Sequence, residues 1–120
     1  DYDLVTLVAA GVTLHEALKA QQFLEKQGLK VRVIDLYSVK PLDEETLKKA
    51  AQETQAILTI EDHYPAGGLG EAVQSVLVNQ STPVYSLAVN KMPRSGSPAD
   101  LMRFMEIDAQ AIVEKVKAIL

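Results

Sequence analysis

A chain of 120 residues with 48% hydrophobic and 23% charged residues has the size and composition of one globular domain with a real core, not of a disordered segment. Its net charge of −4 is mild, and the lysines and arginines are scattered without a basic stripe, which argues against nucleic acid as a partner. Apolar runs such as 7–14 are too short to span a bilayer, so no membrane partner is expected, and the lack of cysteine excludes disulfides, thiolate nucleophiles and Cys-ligated metals.

Residues 3–9 (Asp-Leu-Val-Thr-Leu-Val-Ala) are apolar almost throughout rather than alternating, the pattern of a strand covered on both faces in a parallel sheet. Residues 10–12 make a turn, and Thr13-Leu14-His15-Glu16 has the form of a capping box, with a hydroxyl at the N-cap and a carboxylate three residues on. The helix that follows is expected to run to about Gln27, with Leu14, Ala17, Leu18 and Leu24 along one side and Gly28 as its stop. His15 is expected to be a solvated or capping residue. Residues 31–35 form the second strand, and 37–42 a loop, because the residue before Pro41 is pushed out of helical geometry.

Asp43, Glu44 and Glu45 load the start of the next helix with negative charge and Lys48-Lys49 its later part with positive charge, both favourable to the helix dipole. That helix ends near Gln55. The β-branched run from Ile57 to Ile60 reads as a third buried strand, followed by a polar corner and a glycine-rich turn. Ala72, Val73, Val76 and Leu77 recur at helical spacing in a helix reaching about Asn79. Pro83 ends that region, and residues 84–89 form a fourth strand. Residues 90–98 are rich in Pro, Gly and Ser and lead into a short helix, 97–104, capped by Ser97 with Pro98 in its first turn. Asp108 is expected to cap a separate final helix, 109–119. A chain that opens on Asp1 and passes almost directly into an apolar strand is also expected to be a piece of something longer.

Strands alternating with helices predict an α/β fold: a three-layer α/β/α sandwich on a mainly parallel sheet of four to five strands, with right-handed crossovers. In the order 2-1-3-4 the winding reverses between the first and third strands, and ligands in such sheets favour the crevice at their carboxyl ends. The loops meeting there carry Gly11 and Thr13 on one side and Glu61 to Gly70 on the other. The second loop holds three of the six glycines, Gly67, Gly68 and Gly70, and one of the two histidines, His63.

Two kinds of chemistry are conceivable in that corner. A helix N-terminus offers free amides to a phosphate or carboxylate. However, Gly68-Leu69-Gly70-Glu71-Ala72-Val73 lacks the third glycine of the dinucleotide motif, no Gly-Lys-Ser/Thr ending marks a P-loop, and Glu71 sits where an anion would. A tight turn with close helix–strand packing is the plainer reading. Glu61, Asp62 and His63 could do acid–base work, but neighbours on a strand point to opposite faces and no nucleophile lies nearby in sequence. A hydrogen-bonding role at a loop or subunit contact is preferred. Two distant histidines make a poor zinc site. Arg94 could hold a phosphate or an acidic partner, although an exposed loop arginine is commoner. The corner is therefore a possible ligand or subunit-contact site, with no catalytic, cofactor-binding or metal residue assigned.

Several stretches together resemble the C-terminal domain of transketolase. They are residues 31–43 with Pro41-Leu42-Asp43, Glu61-Asp62-His63-Tyr64 leading to residues 67–73, residues 87–90, Pro93-Arg94-Ser95-Gly96, and the opening residues 10–18. The Pro-Leu-Asp element is shared with 1-deoxyxylulose-5-phosphate synthase and 2-oxoacid dehydrogenase β subunits; Glu-Asp-His and Pro-Arg-Ser-Gly point more narrowly to transketolase. The resemblance covers essentially the whole chain. It implies a mixed sheet whose first strand runs antiparallel to the rest. It also implies a homodimeric transferase of the pentose phosphate pathway, moving a two-carbon ketol unit between sugar phosphates with thiamine diphosphate and a divalent metal (magnesium); a cytoplasmic setting is the default expectation for a chain without cysteine. The two preceding domains would hold those cofactors, none would sit in this segment, and its partners would be those domains or the subunit carrying them. The other readings are a free-standing flavodoxin-like module binding a phosphorylated metabolite or nucleotide, and the C-terminal domain of one of the related thiamine enzymes.

Gly68→Val is expected to destabilise or misfold the domain through its turn, whereas His63→Ala should leave the fold intact. Thermal melts of the two variants check this, and equal losses would contradict it.

Overall fold

The computed structural model describes residues 4–10, 12–36, 44–62, 69–89 and 98–120. Four strands and four helices alternate among them: β1 (Val5–Ala9), α1 (Val12–Lys26), β2 (Val31–Asp35), α2 (Glu44–Glu53), β3 (Ala56–Asp62), α3 (Leu69–Val76), β4 (Val84–Val89) and α4 (Pro98–Ile119). The strands form one sheet in the order β2-β1-β3-β4, and every pairing is parallel. The antiparallel strand implied by the family resemblance is not among the described residues. The loop expected over 37–42 and the Pro/Gly/Ser-rich stretch 90–97 also lie outside them.

All five residues of β1 are buried, as its unbroken apolar pattern requires of a strand with helices on both sides. Successive side chains alternate between two cores. Val5, Leu7 and Ala9 of β1 join Ala56, Leu58 and Ile60 of β3 beneath Ala17, Ala20 and Leu24 of α1 and Ile112, Val113 and Val116 of α4. On the opposite face Val8, Ile34, Leu36 and Ile57 meet Leu47, Ala50 and Ala51 of α2, Val73 of α3 and Leu77 just after it. The polar residues of that second face are satisfied locally. The Thr6 and Thr54 hydroxyls lie 3.0 Å apart, and Thr54 donates to the Ala50 carbonyl at 2.7 Å.

The buried side of α1 runs through Thr13, Glu16, Ala17, Ala20 and Leu24, with alanines where the helix crosses the sheet. Leu18, expected on that side, is instead exposed, as is His15; position 18 follows Ala17 by 100° and falls off a stripe centred on Ala17 and Ala20. The helix ends as its sequence foretells. Gly28 adopts φ +80°, its amide donates to the Glu25 carbonyl, and the Leu29 amide donates to Leu24, the paired bonds of a Schellman motif. In α2, Glu44 and Glu45 occupy the first turn, but the last turn carries no basic residue. The helix stops at Glu53, so Lys48 and Lys49 lie mid-helix, and Lys48 makes only an exposed contact to Glu44 at 3.8 Å, worth a few tenths of a kcal/mol.

The C-terminal region departs most from the sequence expectation. Residues 98–119 are one helix of 22 residues, not two separated at Asp108. No glycine or proline lies between Phe104 and Ala109 to break the ladder, and Asp108 is a buried residue within α4 rather than a cap. Burying one face of a continuous helix against α1 and the sheet outweighs the weak preference of aspartate for a helix end. α4 also reaches β4, where the Lys115 ammonium stands 5.9 Å from the Tyr85 ring centre.

A Cβ at Gly28 would meet no atom within 4 Å, so the position demands glycine through its backbone alone. Gly28→Ala is expected to cost about 1–2 kcal/mol, read as a fall of several degrees in Tm, with β1 and β3 unperturbed in NMR spectra. An unchanged Tm would contradict this account of the helix end.

Candidate functional site

The order β2-β1-β3-β4 places the reversal of winding between β1 and β3, where the sequence reading set it. β1 ends at Ala9, opposite Ile60 of β3. β3 continues through Glu61 and Asp62, paired with Ala88 and Val89 of β4. These two residues thus extend past the end of β1 and form one rim of the crevice. The start of α1 forms the other. Of the remaining candidate residues, Gly11, His63, Gly67, Gly68 and Arg94 lie outside the described residues.

Thr13 is where the two rims touch. It does not act as the first residue of a capping box, because α1 begins one residue earlier, at Val12. Its hydroxyl instead turns back and across. It accepts the Ala10 amide at 3.2 Å, and its single proton has two carbonyl acceptors within reach, Ala10 at 3.0 Å and Ile60 at 3.1 Å. The side chain is only 2% exposed. The hydroxyl therefore ties the entry of α1 to the end of β3, and its bonding capacity is used inside the protein.

Gly70 marks a second contact. It lies in the first turn of α3, directly over the sheet, where an added Cβ would sit 2.8 Å from Ser86 Oγ, 2.9 Å from Glu61 Oε2 and 3.2 Å from Thr59 Oγ1. All three oxygens belong to the face that carries α2 and α3. Thr59 and Glu61 are two apart on β3, and Ser86 is the partner of Thr59 across the ladder. Ser86 and Thr59 share a hydrogen bond of 2.9 Å, and Thr59 donates to the Tyr85 carbonyl at 3.4 Å. The sequence reading found Glu61 and Gly70 but missed Thr59 and Ser86. The available signal was the alternation of polar 59 and 61 with apolar 58 and 60, which marks one partly polar face of an otherwise buried strand.

Chemically the described part of this corner is a set of hydroxyls, buried at Thr13 and Thr59 and exposed at Ser86, beside the half-buried Glu61 carboxylate and the first turn of α3. Glu61 and the exposed Glu71 of the first turn of α3 put negative charge at the end of that helix where an anion would otherwise be welcome. Among the described residues no three His, Cys, Asp or Glu side chains converge on a possible metal position. No helix of the described residues is long and apolar enough to cross a membrane.

Thr13→Val leaves the Ile60 carbonyl and the Ala10 amide without their hydroxyl partner and is expected to cost about 1–3 kcal/mol. Thr13→Ser keeps the hydroxyl and should lose only about 0.8 kcal/mol for the missing methyl. Urea titrations showing equal losses would deny the hydroxyl its role. Gly70→Ala gives a test of sign. Helix propensity alone favours alanine by about 1 kcal/mol, whereas overpacking costs about 1–3 kcal/mol, so a net loss of stability is expected. Adding Ser86→Ala should recover part of it; losses that simply add would show that the close approach is not what demands glycine.

The chain matches the family model described as "Transketolase, C-terminal domain" over residues 2–112. It is 49% identical to the transketolase of Rattus norvegicus over 119 residues and 47% identical to that of Homo sapiens over 120 residues. Each alignment covers 98% of this chain and 19% of the relative, so the chain spans about a fifth of the length of these proteins. Among solved structures, one described as a split gene transketolase, inactive beta4 tetramer, superimposes with a TM-score of 0.75 at 36% identity, covering 98% of this chain and 39% of that one. On the fold, the residue pattern and these likenesses, the chain belongs to the transketolase C-terminal domain family.

Proposed function

We propose that this chain is the C-terminal domain of a transketolase that moves a two-carbon ketol unit from a ketose phosphate to an aldose phosphate, and that it serves assembly and stability rather than the chemistry. The observation that carries this reading is the shape of the match, which takes in 98% of this chain but only 19% of a transketolase. Most of such an enzyme lies outside these residues. The split-gene relative, whose own description is of an inactive beta4 tetramer, supports a chain built around this domain having no turnover by itself.

Thiamine diphosphate and magnesium belong, in this proposal, to the cofactor-binding domains or subunit of the parent, which are also this domain's partners, within a homodimer. The described residues do not fit a metal-bound diphosphate. Glu61 and Glu71 would repel it at the start of α3, and the Thr13 hydroxyl is already engaged by Ala10 and Ile60. What the chain's own residues supply is a braced carboxyl end of the sheet, with Thr13 tying the start of α1 to β3 and Gly70 letting the start of α3 come close to it. A cytoplasmic setting and a place in the pentose phosphate pathway are part of the same proposal.

Assayed alone with thiamine diphosphate and magnesium, the chain is expected to show no ketol transfer above background. Its melting temperature should not move with the cofactor, since a ligand at 100 times its Kd would add about 2.7 kcal/mol to a fold that bound it. Turnover, or a saturable shift, would overturn the reading. A shift produced only by phosphorylated metabolites or nucleotides would favour the free-standing binding module instead.

A further inference from the structure

We draw no further inference here: the strongest candidate, the open groove of about 450 Å³ between α1 and α4 lined by Phe23, Gln27, Gln110, Val113, Glu114 and Lys117, carries nothing because nothing in the structure shows what covers it.

Discussion

β1 has no face to give to water. Each of its five residues is buried, and the strand is flanked by β2 and β3 in parallel register. Parallel neighbours cannot be joined by hairpins, so each connection must cross over, and the crossing segments become the helices that cover the sheet. The apolar run at 5–9 thus requires the three layers: α1 and α4 close one face, and α2 and α3 the other. Alanines at 17 and 20 let α1 come down close to the sheet, so that Leu24 and the α4 residues Ile112 and Val116 fill the remaining space.

The same topology that creates the crevice at the carboxyl ends of β1 and β3 also leaves strand ends and helix starts there with unpaired backbone groups. In many sheets of this kind such groups meet a ligand. Here the Thr13 hydroxyl takes up the Ala10 amide and reaches the Ala10 and Ile60 carbonyls, while Gly70, lacking a side chain, lets the first turn of α3 come close to Thr59, Glu61 and Ser86. The described part of this corner is acidic at Glu61 and Glu71, which suits a contact surface better than a seat for phosphate. That agrees with the assembly role proposed above.

Much of this was legible in the residues, for reasons that differ from element to element. β4 was placed to the residue because Pro83 and Asn90 bound it, and β2 because β-branched residues recur soon after the helix stop at Gly28; the alternation of strands with helices pointed to the parallel sheet. Gly28 announced its own left-handed conformation. What was missed depended on tertiary context. Thr13 and Glu16 carry the letters of a capping box, but letters do not say that the hydroxyl will instead accept the Ala10 amide and find carbonyl acceptors at Ala10 and at Ile60, the end of β3. Asp108 resembles a cap until the helix runs on through it and buries it within α4. Ser86 has no sequence signal of its own; its importance comes from lying opposite Thr59 across the β3–β4 ladder, a register set by the whole sheet.

Organised by a doubly buried strand, these residues are expected to form a scaffold that folds without cofactor or partner. Native-state hydrogen exchange on the isolated chain tests it most directly, because amides released only by global unfolding exchange slowest. The amides of Val5–Ala9 and of 57–60 should be the most protected in the molecule, with no thiamine diphosphate, metal or other protein present. Rapid exchange along β1 that slows only when the remainder of a transketolase is added would contradict the account.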